Sequence, residues 1–311
     1  MKILVTCPPM LGQIERFREA FAKRGAELTA PEVTQTLSVE ELKILVPQHD
    51  GWIIGDDPAN RDVLEAGVKG HLKAAVKWGI GIDNVDFAAA KDLGLPITNT
   101  PFMFGREVAD IAVSYVIALA RETFLIDRGV RAGGWPKPAG ISLEGKTVAL
   151  VGFGDIGRNI AKRLLASDMK IIAYDPMFKP APGLEAVQSA KWPQRIGEVN
   201  FLVLACNLTS DNYHLVNAEI FSQTKQGLRI VNVARGPLID ESALISALTS
   251  GQVHSAALDV MEVEPLPAGS PLRTHERCIF GSHNGSNTVD AVIRASERAI
   301  DLLFGFLADK K

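Results

Sequence analysis

Cysteine is scarce in this 311-residue chain: only Cys7, Cys206 and Cys278, far apart from one another. Three scattered thiols build no disulfide framework and no metal-ligand or redox pair, so no metal is expected and a reducing, cytoplasmic setting is. There is no excess of one charge either. Against 33 Lys and Arg stand 36 Asp and Glu, a net charge of −3 with both signs mixed along the chain. That balance argues against a nucleic-acid partner and against binding at a membrane surface. Long apolar runs are missing as well. The longest apolar helical stretch, residues 108–120, contains Asp110 and is too short to cross a bilayer. The opening Met1-Lys2-Ile3-Leu4-Val5-Thr6 is too brief for the apolar core of a secretion signal.

What is present is one dense motif. Val148-Ala149-Leu150-Val151 reads as a buried strand and runs directly into Gly152-Phe153-Gly154-Asp155-Ile156-Gly157, after which residues 158–167 read as a helix. A second apolar run, Ile171-Ile172-Ala173-Tyr174, ends at Asp175. Strand, G-x-G-x-x-G, helix and a later acid are the parts of a dinucleotide site. Gly152 allows the tight turn, Gly154 leaves room for a pyrophosphate, and Gly157 lets helix and strand pack closely. The helix N-terminus offers N–H groups to phosphate, and Asp175 can hold ribose hydroxyls. A carboxylate at 175 would repel a 2′-phosphate, and Pro176-Met177-Phe178 offers no arginine, so the cofactor is expected to be NAD, not NADP.

The rest of the chain alternates short apolar strands with amphipathic helices. Strands are expected at residues 2–6, 51–55, 74–78 and 95–98, with helices at 13–23, 60–66 and 86–93. Ser38-Val39-Glu40-Glu41 is a capping box opening a helix to Val46. A long helix is expected at 107–121, and residues 129–145, rich in Gly and Pro, read as an irregular loop. A second series has strands at 199–205, 228–232, 255–259 and 278–281, a capped helix at 240–250, and a final helix at 288–307. The pattern predicts two doubly wound parallel α/β sheets. The first domain precedes the dinucleotide motif, and the last helix returns to it.

Three segments fall at C-terminal strand ends of the second series, the edge where open α/β sheets bind ligands. Asn232-Val233-Ala234-Arg235-Gly236 supplies an arginine that can fork onto a carboxylate. The stretch from Asp259 to Pro265 supplies Glu264, with Glu262 read as a solvated loop acid, and Gly281-Ser282-His283-Asn284-Gly285 supplies a histidine. Hydride transfer to a ketone needs a proton donor at the carbonyl oxygen, a carboxylate to orient that donor, and a cation on the substrate. His283, Glu264 and Arg235 are of those types.

Taken together the chain resembles the D-2-hydroxyacid dehydrogenases, in the group that includes D-3-phosphoglycerate dehydrogenase. The likeness rests on Gly79-Ile80-Gly81-Ile82-Asp83-Asn84-Val85-Asp86, Asn99-Thr100-Pro101, the glycine motif, Asn232-Val233-Ala234-Arg235-Gly236, Leu258-Asp259-Val260 with Glu264-Pro265, and His283 with Gly285. The resemblance implies a Rossmann NAD domain at 101–284 and a discontinuous, flavodoxin-like substrate domain at 1–100 and 285–311. It implies Arg235, Glu264 and His283 as catalytic residues. Lys77, Trp78 and the backbone of Gly79, Ile80 and Gly81 would meet the substrate with Arg235. Gly152, Gly154, Asp155, Ile156, Gly157, Asp175, Cys206, Val233, Ala234, Asp259, His283 and Gly285 would surround NAD, with Asp259 holding the nicotinamide amide. A homodimer through the NAD domain is implied, with Trp135-Pro136 reaching the partner.

The chain departs from the family pattern at Ser282, where Pro is usual, at Cys206-Asn207-Leu208, at Asp110, where Glu is usual, and at Lys77-Trp78, where an Arg and a small residue are usual. Lys77 keeps a positive charge without the fork. Trp78 reads equally as pocket wall or core, and Phe102-Met103-Phe104 as an apolar pocket entrance or helix-start packing. The expected activity is NAD-dependent interconversion of a small anionic 2-keto acid and its D-2-hydroxy acid, D-3-phosphoglycerate foremost. Hydroxypyruvate or glyoxylate reduction is the alternative, as is a corepressor-like NAD-sensing binder on the same fold.

Overall fold

Two sheets organise the chain in this computed structural model, which describes residues 1–308; the last three residues of the expected substrate domain, 309–311, lie outside the described part. The chain divides into one unit of Met1–Phe104 with the segment from Ser286 onward, and a second unit of Gly105–Gly285.

The first unit holds β1 (Lys2–Val5), β2 (Glu27–Thr29), β3 (Gly51–Ile54), β4 (Ala74–Lys77) and β5 (Ile97–Asn99), all parallel in the order β2-β1-β3-β4-β5. This is the flavodoxin-like order, and the topology changes direction between β1 and β3. Apart from Lys77 at the end of β4, β3 and β4 are apolar without alternation, and every residue of the two strands is buried. The capping box forms as expected, with Ser38 Oγ accepting from Glu41 N at 3.3 Å and the Glu41 carboxylate accepting from Ser38 N at 2.8 Å. The helix Val289–Ala308 packs its apolar stripe on β3 and β4. The helix expected at 13–23 is broken: a 3-10 turn, Ile14–Arg16, and a short helix, Arg18–Ala22, meet at Phe17, which turns into the core.

The second unit holds β6 (Thr147–Val151), β7 (Lys170–Tyr174), β8 (Gln188–Ser189), β9 (Phe201–Leu204), β10 (Leu228–Asn232), β11 (Val253–Leu258) and β12 (Cys278–Phe280). They run parallel in the order β12-β11-β10-β9-β6-β7-β8, with the direction changing between β6 and β9. That is the Rossmann order with an added edge strand. A helix, Thr123–Arg131, occupies the start of the segment read as loop. Its Arg and Asp side chains form an i,i+4 pair, Arg131 to Asp127, that supports the turns on either side of Gly129. Asp110 of the helix Gly105–Arg121 pairs with Arg163 of the helix Asp155–Leu165 at 2.7 Å, so this departure from the family pattern joins two helices.

Candidate active site and cofactor cradle

The glycine motif sits where β6 ends and the strand order reverses. Gly152 has φ +96°, and a Cβ there would stand 2.7 Å from the carbonyl oxygen of Ala205, so the turns after β6 and β9 touch. A Cβ on Gly157 would lie 2.1 Å from Gly152 O, and this is what allows the helix Asp155–Leu165 to start so close to the strand. Gly154, its N-cap, has open space where a side chain would be. Open space thus lies beside Gly154 at the start of that helix, whose first-turn N–H groups have no partner within the helix. The Asp155 carboxylate lies against Gly105. Arg158 stacks its guanidinium over Phe153, and its buried Nε has no hydrogen-bond partner among the described residues. An open helix N-terminus with an unsatisfied buried donor beside it fits an anionic pyrophosphate.

Asp175 closes the cradle. Its Oδ2 accepts from Phe153 N at 2.6 Å and its Oδ1 from Met177 N at 2.7 Å, so the carboxylate is fixed beside the glycine turn. Cys206 follows β9 next to Gly152, and burial pushes its thiol up to about 11. Val233 and Ala234 follow β10 and are nearly buried.

The three chemistry-bearing segments leave adjacent strands. After β10, the Asn232 side chain accepts from Ala234 N at 3.0 Å and donates to Arg235 O at 2.8 Å, which locks the turn carrying Arg235. After β11, Glu264 Oε1 accepts from Met261 N at 2.9 Å. Its Oε2 lies 2.8 Å from Nδ1 of His283, which follows β12. Both side chains keep about a fifth of their surface exposed, 22% for His283 and 21% for Glu264. His283 adopts a left-handed φ of +56°. That conformation is held by Asp259: its carbonyl accepts from His283 N at 2.7 Å, and its carboxylate oxygens accept from Asn284 N at 3.2 Å and Gly285 N at 2.8 Å. Burial raises the Asp259 carboxyl above the usual range, and these N–H groups act against that. Gly281 makes room for it, since a Cβ there would stand 2.0 Å from Asp259 Oδ1. Glu262 is not a solvated acid: its Oε1 meets His214 Nε2 at 2.7 Å and its Oε2 accepts from Glu241 N.

In the first unit the segment 77–81 follows β4. Gly79 N donates to Thr100 Oγ1 at 2.8 Å, and Asn99 Nδ2 donates to Ile80 O at 3.1 Å, so the strand end at Asn99-Thr100 holds this turn. The Gly79 N–H is thus already engaged. The Trp78 side chain is core, not pocket wall: it is buried, its indole N–H donates to Ser296 Oγ at 3.1 Å, and its ring packs on Phe104 at 4.8 Å. Phe104 therefore does helix-start packing, whereas Phe102 is 77% exposed at φ +61°. Lys77 is buried, with Nζ donating to Asp56 Oδ1 at 3.0 Å and to Trp78 O at 2.9 Å. Asp56 was missed by sequence reasoning, although it follows β3 at the same ligand-facing edge.

The sequence profile of the D-isomer specific 2-hydroxyacid dehydrogenase NAD-binding domain matches residues 113–285. A hydroxypyruvate reductase of Thermotoga maritima is 37% identical over 280 residues, 88% of this chain and 90% of that one. The chain belongs to the D-isomer-specific 2-hydroxyacid dehydrogenase family. It is an NAD-dependent oxidoreductase of that family. The chloroplastic D-3-phosphoglycerate dehydrogenase 3 of Arabidopsis thaliana is 38% identical over 88% of this chain, which spans about half (47%) of that relative. The solved structure of the TT0316 protein from Thermus thermophilus superposes with a TM-score of 0.87 at 31% identity, covering 99% of this chain and 97% of that one. Among the described residues no helix is long and apolar enough to cross a membrane.

Proposed function

We propose that this dehydrogenase interconverts a small anionic 2-keto acid and its D-2-hydroxy acid, with His283, Glu264 and Arg235 performing the chemistry. The His283–Glu264 pair carries this reading. The Glu264 carboxylate accepts a hydrogen bond from Nδ1–H at 2.8 Å, which leaves Nε2 as the ring nitrogen that exchanges a proton with the substrate. Bound NADH supplies the hydride in the direction of reduction. As charge gathers on the carbonyl oxygen, protonated His283 gives it the Nε2 proton, and Glu264 stabilises the imidazolium before that transfer. In oxidation the same nitrogen accepts the hydroxyl proton.

Arg235 forks onto the substrate carboxylate and polarises the carbonyl. In the first unit, Ile80 and Gly81 offer N–H groups to an anion, Gly79 N being committed to Thr100. Asp175 takes the ribose hydroxyls, and the N–H groups of Asp155 and Ile156 take the pyrophosphate. Asp259 acts mainly by holding the His283 turn. A homodimer through the NAD domain is supported by the exposed Phe124, Val130 and Trp135, and a cytoplasmic location by the free thiols.

The test is NADH oxidation by the purified protein with phosphohydroxypyruvate, hydroxypyruvate, glyoxylate, pyruvate and bulkier 2-keto acids. Saturable, enzyme-dependent turnover of at least one supports the reading. Confirmed NADH binding with no turnover on any of them overturns it.

A further inference from the structure

Glu262 stands two residues before Glu264 in the segment after β11, and its carboxylate reaches the segments after two other strands. His214 Nε2 donates to its Oε1 at 2.7 Å, and Tyr213 Oη donates to the same oxygen at 3.4 Å. His214 lies in the segment after β9, with the Tyr213 ring stacked on its own at 4.1 Å. That segment is itself held, because His214 N donates to Pro237 O at 2.8 Å and Asp240 N donates to Val216 O at 3.0 Å. The other oxygen of Glu262, Oε2, accepts from Glu241 N at 3.1 Å. Glu241 opens the helix Glu241–Ser250, which follows the turn of Arg235. A first-turn N–H has no partner within its helix, and a helix N-terminus favours a negative charge. One carboxylate thus joins the segments that follow β9, β10 and β11.

The backbone on either side of Glu262 leads directly to the proposed proton-transfer pair. Met261 N donates to Glu264 Oε1 at 2.9 Å, and Glu264 Oε2 lies 2.8 Å from His283 Nδ1. Met261 O lies against Gly236, where a Cβ would stand 1.8 Å away. The turn at 261–265 therefore has two holds, the backbone contact at Met261 and the side-chain clamp at Glu262. The clamp is partly open to solvent, with 30% of the His214 side chain and 25% of that of Glu262 exposed. A pair this exposed adds little to the stability of a fold, so its effect is expected in the placing of the turn.

We infer that Glu262, clamped by His214 and Glu241 N, is a positioning residue that holds the turn at 261–265 so that Glu264 meets the His283 ring. The inference rests on the reaction proposed above and deepens it. Glu262 acts through Glu264 and not on the substrate. A hydrogen bond between side chains on separate turns weakens steeply with distance and angle. Displacing a group in a reacting constellation by about 1 Å can cost about 100-fold in rate.

The experiment is a double-mutant cycle on single-turnover oxidation of prebound NADH, with the 2-keto acid that the wild type reduces fastest. Glu262→Ala removes the clamp and should lower the rate about 10- to 100-fold, with NADH affinity within about threefold of wild type. Glu262→Gln keeps an acceptor for Glu241 N, and its rate should fall between the two. In a Glu264→Ala background nothing is left to position, so adding Glu262→Ala should change the residual rate by less than about twofold. A purely structural role for Glu262 would lower the rate by the same factor in both backgrounds, and that result overturns the inference. A wild-type rate in Glu262→Ala overturns it too. His214→Asn releases the clamp from its other end and suits the left-handed φ of +52° at that position. If Glu262→Ala does not fold, the same cycle run with His214→Asn decides between the same two results. A Glu264→Ala enzyme as fast as wild type overturns the role of Glu264 in the parent reaction, and wild type inactive on every 2-keto acid overturns that reaction itself. Either result removes this inference as well.

Discussion

Nδ1 of His283 and Oε2 of Glu264 lie 2.8 Å apart, on turns that leave neighbouring parallel strands. The second oxygen of the same carboxylate is tied to Met261 N, so the acid is fixed from its own turn before it meets the imidazole. Replacing it by an amide keeps the shape and removes the charge. Glu264→Gln is expected to lower kcat/KM for reduction by about 10- to 1,000-fold, since an orienting carboxylate supports both tautomer and imidazolium. A kcat/KM for reduction unchanged from wild type would refute this role.

Arg235 owes its position to the residue after it. A Cβ on Gly236 would stand 1.8 Å from the Met261 carbonyl oxygen, which is backbone and cannot swing aside. Gly236→Ala must push the Arg235 turn away from the turn bearing Glu264. The expected cost is about 2–4 kcal/mol of stability, in the range of core overpacking and backbone strain. Any folded fraction should show a raised KM for the keto acid. Chemical denaturation together with steady-state kinetics reads both effects.

Asp175 is the residue proposed to set cofactor choice. Its two oxygens accept from Phe153 N and Met177 N, which fixes the carboxylate beside the glycine turn. Asp175→Ser should raise KM for NADH and shift the NADPH-to-NADH ratio of kcat/KM upward by roughly 10- to 100-fold, as one like-charge repulsion is removed. A ratio that stays put would place the selection elsewhere.

His254 gives a pH signature of stability. Burial, with Arg229 and Arg277 nearby, depresses its imidazolium from 6.5 to about 4. The folded state therefore resists a proton that the unfolded chain accepts. The stability is complete above pH 6.5 and is lost as the pH falls from 6.5 towards 4, by at most about 3 kcal/mol. His254→Asn should flatten the dependence of the melting temperature on pH across that window. Equal slopes for the two proteins would refute the assignment.

Much of this was legible in the residues themselves. The strand, three glycines and Asp175 lie within one βαβ unit, where local sequence dictates local geometry, and the strand-end rule brought Arg235, Glu264 and His283 to one edge although they are far apart in the chain. What stayed hidden depended on tertiary partners. Lys77 reads as an available cation until Asp56, on the neighbouring strand, is seen to hold it. Trp78 is ambiguous until Ser296 and Phe104 enclose it. The break at Phe17 and the helix Thr123–Arg131 went unread because one buried aromatic interrupts a helical period and one glycine does not end it. The Asp259 carboxylate also bonds the backbone beside His283, and no spacing rule exposes that second role.

The central claim is that the His283 ring moves the proton. Its most direct test is single-turnover oxidation of prebound NADH by wild type and His283→Gln, using whichever 2-keto acid the panel identifies, with NADH affinity measured in parallel by fluorescence. The account predicts a rate lowered by at least about 1,000-fold with NADH affinity within a few-fold of wild type. A variant that turns over within tenfold of wild type would contradict it.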